Sequence, residues 1–199
     1  MSPTYEQRIV SFIDILGFAD AIERSRDDAA LAAEIRRILS TAPFSSPLHG
    51  PPSYPLGRTF CPTVKFTNFS DCVVLSAAAT TAGLMTVVEM SRTFACVLLQ
   101  FGMPARGGVS CGPLVHEDRV LFGPGMVSAY LLESKTAKVA RIITDGVTVT
   151  LARDLARADA VLARYLAENL LVDVDGHGAP APPERRHAQH QRPDQYDAL

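Results

Sequence analysis

The eight residues Ile9 to Leu16 read IVSFIDIL, an apolar run with a single carboxylate set inside it. A run this short and this apolar reads as a β-strand buried on both faces. Asp14 is the anomaly. An ionised carboxylate in such surroundings costs several kcal/mol unless it is paired or hydrogen-bonded. The fold must therefore bring something positive to Asp14, or use it as a cap or as the acceptor of a buried hydrogen bond.

The segments that follow define the layers around this strand. Asp20 to Leu39 carries Ile22, Leu31, Ile35, Ile38 and Leu39 among charges, which predicts a helix ended by Pro43. Ser40 to Pro62 holds six prolines and reads as a long loop. Thr63 to Phe69 and Cys72 to Ser76 predict two strands joined tightly at Ser70-Asp71. Leu84 to Phe101 has helical spacing, with Gly102 as its C-cap. Ala105 to Cys111 and Arg119 to Phe122 predict a hairpin around His116-Glu117-Asp118. Pro124 to Ala137 predicts a helix with proline at its start. Val139 to Thr144 predicts a strand, Val147 to Asn169 one or two helices, and Leu170 to Asp175 a last strand. The first six elements run β-α-β-β-α-β, the ferredoxin-like order. The expected class is α+β, a mainly antiparallel sheet with helices on one face.

Length and charge narrow the function. The 199 residues suit one domain spanning 1–175 and a tail, 176–199. Lys and Arg total 19 against 21 Asp and Glu, and tryptophan is absent, so neither a basic grip nor a stacking platform for nucleic acid is expected. No apolar stretch is expected to span a bilayer, and MSPTYEQRIV lacks the pattern of a secretory signal, which points to the cytoplasm. Cys61, Cys72, Cys96 and Cys111 have no metal-ligand spacing, and the last three read as small core hydrophobes. The tail has almost no large apolar residue and is expected to be disordered; its His177, His187 and His190 read as solvated.

Asp71 joins Asp14 as a second candidate. Aspartate is a common turn residue for backbone reasons alone. In a β-α-β-β order, however, the first strand can lie beside the following hairpin. A mid-strand carboxylate and a hairpin-tip carboxylate then meet at one sheet end. They repel unless a divalent cation sits between them, and oxygen-only ligation suits magnesium or manganese shared with substrate phosphates. An arginine should face those phosphates. Arg106 opens a glycine-rich strand, although a surface ion pair would also explain it.

These residues carry a resemblance. Phe12-Ile13-Asp14-Ile15-Leu16-Gly17-Phe18 resembles the first metal motif of class III nucleotidyl cyclases, and Phe69-Ser70-Asp71-Cys72 the second. Met103 to Val115, with Arg106-Gly107-Gly108-Val109, resembles their Arg-x-Gly-Ile strand; Phe122-Gly123-Pro124-Gly125 through Glu133 stands where they carry a Gly-Asp-x-Val-Asn helix. The likeness covers Ile9 to Thr144. Thr67 stands where purine cyclases read the base with lysine, Val120 near where they carry an aspartate, and Val127 and Leu131 at their transition-state Asn and Arg. With that equipment changed, the sequence looks like the pyrimidine cyclases of the Pycsar anti-phage system. The resemblance implies conversion of UTP, or alternatively CTP, to a 3′,5′-cyclic nucleotide and pyrophosphate. It implies two Mn²⁺ or Mg²⁺ ions on Asp14, Asp71 and the carbonyl of Ile15, with Arg106 as the catalytic arginine. Nucleotide contacts would come from Phe12, Gly17, Phe18, Arg58, Thr67, Gly107, Gly108 and Tyr130, with Tyr54 a further candidate for the base. A homodimer with sites at its interface, and a separately encoded effector that senses the product, complete the picture. A non-catalytic dimeric binding module on the same fold is the competing reading. A diguanylate-cyclase-like enzyme is disfavoured, because Asn68-Phe69-Ser70-Asp71-Cys72 replaces the Gly-Gly-Asp/Glu-Glu-Phe hairpin.

Overall fold

A computed structural model of the chain describes residues 4–40, 61–172 and 178–180. The first strand, β1 (Glu6–Ile15), is central: it pairs antiparallel with β3 (Cys72–Ala78) on one side and β4 (Ala105–His116) on the other. Beyond β3 lies β2 (Lys65–Phe69), and β5 (Leu121–Phe122) forms the expected hairpin with β4. β6 (Ile142–Thr144) pairs parallel with β4, and β8 (Gly178–Pro180) and β7 (Leu170–Val172) extend that side, giving the order β2-β3-β1-β4-β6-β8-β7. The α+β sheet is thus mixed, with β4–β6 its parallel pair. β8 falls within the expected tail and gives Gly178–Pro180 a place in the sheet, which the polar composition did not reveal. The remainder of that tail, including its three histidines, lies outside the described residues.

The period-2 pattern of β1 sorts the core into two layers. Ile9, Ile13 and Ile15 join the larger core with Val73, Leu75, Leu84, Met85 and Leu162. Val10 and Phe12 join a smaller core on the other face with Val74, Leu114 and Ala129. Helices α1 (Phe18–Ser25), α2 (Ala29–Ser40), α3 (Thr81–Gln100), α5 (Gly146–Ala158) and α6 (Ala160–Asn169) send residues to the larger core. Helix α4 (Pro124–Leu131) instead lies on the other face. The expectation of helices on one face therefore fails for α4. Its Ala129 and Met126 cover the Val10 and Phe12 side of a strand that is apolar on both sides.

Local chemistry explains the helix boundaries. The expected single helix 20–39 is split, because the Asp28 carboxylate accepts from Leu31 N–H (2.9 Å) and starts a new helix. Asp159 divides α5 from α6 in the same way, accepting from Val161 and Leu162. Helix α3 begins at Thr80, whose hydroxyl accepts from Gly83 N–H, and ends before Gly102, which takes φ +70°. By length and mean hydropathy (1.5), α3 is long and apolar enough to cross a bilayer. That corrects the expectation of no such stretch. Leu84, Met85, Val87, Met90 and Leu98 bury one side of it in the larger core.

Candidate active site

The strand register sets side chains in rows across the α4-bearing face. One row runs Phe69, Cys72, Asp14, Arg106; the next runs Thr67, Val74, Phe12, Gly108. Ser70, in the left-handed conformation at φ 56°, turns the β2–β3 hairpin. Ile15 N–H then donates to the Asp71 carbonyl at 2.9 Å, tying the hairpin tip to the end of β1. Asp14, Asp71 and Cys72 come together as a result, with one ligand atom from each within 4.8 Å of the others.

The positive partner that Asp14 requires is Arg106, directly opposite it on β4. The guanidinium Nη2 lies 3.4 Å from Asp14 Oδ2, and Nε donates to Glu133 Oε1 at 2.5 Å. Burial holds the Asp14 carboxyl above its usual range; Arg106 opposes that shift and the nearby Asp71 charge adds to it. Glu133 is also raised, first by burial, with Arg106 again opposing. Burial and the two aspartates push the Cys72 thiol up to about 12, so it stays protonated at neutral pH. Two carboxylates beside a neutral thiol form a hard, oxygen-based donor set. The two carboxylates are the oxygen donors that suit magnesium or manganese.

The glycines after Arg106 serve packing. A Cβ on Gly108 would stand 2.3 Å from the Ala129 carbonyl and 2.6 Å from Leu132 Cβ. One on Gly107 would stand 2.7 Å from the Phe12 carbonyl oxygen. The bare strand lets α4 and the π-helical turn Leu132–Thr136 that follows it lie close, which delivers Glu133 to Arg106.

Other expected contacts divide. Phe18 is 8 % exposed and packs its side chain in the larger core. Gly17 supplies the left-handed turn (φ +75°) before α1. Phe12 is buried between the rings of Phe69 (6.5 Å) and Tyr130 (5.6 Å), and Tyr130 is exposed on α4. Ile15 buries its side chain in the larger core, at the end of β1 next to Asp14. Arg58 and Tyr54 lie outside the described residues. Thr67 is half-buried, and its hydroxyl is 2.9 Å from Nε2 of the buried His116. Burial and the cations of Arg8 and Lys65 push His116 down to about 4.

Sequence reasoning missed Glu133, His116 and the position of Cys72. Each sits in or beside an apolar segment, a weaker form of the signal that singled out Asp14.

No family model matches the chain, and no curated protein matches it either. Solved structures do. The catalytic core of a rhodopsin-guanylyl cyclase with converted specificity, in complex with ATPαS, aligns at TM-score 0.51 and 16 % identity, over 88 % of this chain and 92 % of that one. An adenylate/guanylate cyclase/hydrolase from Silicibacter pomeroyi aligns at TM-score 0.51 and 12 % identity, over 88 % and 94 %. At this identity the likeness concerns the backbone: the chain has the fold of class III nucleotidyl cyclase catalytic domains.

Proposed function

We propose that the protein is a pyrimidine nucleotidyl cyclase that converts UTP to 3′,5′-cyclic UMP and pyrophosphate, as a second messenger in anti-phage defence. The observation that carries this is the convergence of Asp14 and Asp71 at one sheet end, with Arg106 beside them, on a cyclase fold. CTP is the alternative substrate.

The reaction joins the ribose 3′-oxygen to the α-phosphorus, breaks the bond to pyrophosphate and releases the hydroxyl proton. Two Mn²⁺ or Mg²⁺ ions, when bound, lower the pKa of the 3′-hydroxyl and neutralise the leaving group. Asp14 and Asp71 would hold them, with the Ile15 carbonyl completing one shell. Arg106 carries the charge suited to the transferring phosphates. Glu133 orients it, and Asp14 is the partner it would yield as the phosphates arrive.

The active form is a homodimer in this reading, with each site at the interface. Tyr5, Phe69, Phe122, Val127, Tyr130 and Leu131 are all large, apolar and at least 39 % exposed. A second copy would cover them. Because Arg106 meets Asp14 within one chain, the partner's contribution is expected from α4 and not from Arg106. A separately encoded effector would sense the product. The competing reading, a non-catalytic module, draws on the exposed Val127 and Leu131 at the places of the usual Asn and Arg.

The test is turnover of UTP with manganese by the full chain and by two variants. Asp14→Ala and Asp71→Ala should each abolish cyclic UMP formation without lowering the melting temperature, since each removes one of two like charges. Activity retained in both variants would contradict the assignment.

A further inference from the structure

We infer that His116 is a positioning residue for base selection: backed by Ser76 and Arg8, it holds the Thr67 hydroxyl as a hydrogen-bond donor toward an oxo group at position 4 of a pyrimidine. This rests on the reading of Thr67 as the base contact.

A buried chain of hydrogen bonds fixes where the imidazole proton sits. Arg8 is 2 % exposed, and its Nε–H donates to Ser76 Oγ at 2.9 Å. Arginine cannot accept, so that bond has one direction. The Ser76 hydroxyl, itself fully buried, must send its own proton elsewhere. Among the described residues the acceptor within reach is His116 Nδ1, at 2.8 Å. A neutral imidazole that accepts at Nδ1 carries its proton on Nε2. Nε2–H therefore donates to Thr67 Oγ1 at 2.9 Å. The opposite tautomer would strand the Ser76 proton in the interior, which is costly.

The ring is neutral at physiological pH. The charged groups beside it are Arg8 and Lys65, whose ammonium also donates to the His116 backbone carbonyl, and both oppose protonation. Thr67 thus has an oxygen already engaged and a proton with no other partner among the described residues. It sits in the row next to Asp14, on the same face of the sheet.

A free hydroxyl rotates to donate or accept and discriminates poorly. One held as a donor does not. Uracil offers an acceptor at O4, whereas cytosine offers an amino donor at the same position. Two donors facing each other leave both unpaired, so the relay selects UTP over CTP.

The experiment measures kcat/KM for UTP and CTP with manganese, and melting temperature, for the full chain and three variants. The wild type should prefer UTP by at least about tenfold. His116→Phe removes both ring nitrogens and should cut that preference about tenfold, mainly through the KM for UTP. His116→Gln should keep most of it, because its amide N–H can donate to Thr67 and its carbonyl can accept from Ser76. Ser76→Ala leaves the ring in place but frees its tautomer, so it should lose part of the preference; it carries the test if His116→Phe does not fold. A purely structural His116 would lower melting temperature and both activities together and leave the ratio unmoved. A ratio unchanged in His116→Phe and Ser76→Ala, or a wild type that prefers CTP, overturns the relay alone. A wild type that forms no cyclic pyrimidine overturns the proposed function and the relay with it.

Discussion

Arg106 is held by two carboxylates at once, and one of them, Glu133, is 4 % exposed at its side chain. Removing the cation leaves that carboxylate buried and uncompensated. Arg106→Ala should therefore lose activity and also about 2 kcal/mol of stability in urea unfolding, at the low end because the arginine is part-exposed. Arg106→Lys should recover some of that stability but not the two-sided contact. His116 makes a separate prediction about pH. Its folded pKa of about 4 lies below the ordinary 6.5. Between those values the unfolded chain binds the proton and the folded chain resists it, so stability rises with pH. The wild type should lose about 2–3 kcal/mol as pH falls from 6.5 to 4, and His116→Gln should lose that much less over the same range. Parallel slopes would contradict the burial of a neutral ring. Asp14 was legible in the sequence because a charge inside an apolar run demands a partner. Glu133 and His116 stand at the edges of apolar segments, where a polar residue reads as surface, and only the fold buries them against Arg106 and Ser76.

The contact between β4 and α4 places the arginine's second partner. Gly108 is where the helix comes closest, and any side chain there meets backbone. Gly108→Ala should cost about 1–3 kcal/mol by overpacking. It should also push the π-helical turn outward and separate Glu133 from Arg106, so turnover should fall by more than the stability loss explains. Thermal melting and UTP turnover on the same sample check this; full activity in a destabilised variant would contradict it. Strand positions were largely readable from apolar runs and turns. The sequence pattern did not reveal which face α4 would cover, because β1 is apolar on both sides. Nor did it show that Asp28 and Asp159 would interrupt otherwise continuous helical periodicity, since a cap and a surface aspartate look alike without the backbone.

Across the whole molecule, the exposed apolar residues of α4 lie on the face that carries Asp14 and Arg106. That is the basis for expecting two copies to share a site. Val127 is 55 % exposed, so Val127→Asp should leave each chain folded while placing a charge in the contact. Sedimentation should find a dimer for the wild type and a monomer for the variant, with activity lost in the monomer. A fully active monomer would contradict the shared site. The cyclase fold was legible from four motifs in order, whereas the hydrogen-bond chain from Arg8 through Ser76 and His116 to Thr67 was not, because only the fold brings these residues together. The most direct measurement is therefore incubation of the purified chain with ATP, GTP, CTP and UTP in turn, with manganese, and identification of each product by mass. Cyclic UMP should be the dominant product, with little from either purine. Cyclic AMP or cyclic GMP formed as fast as cyclic UMP, or no cyclic product from any of the four, would contradict the proposed function.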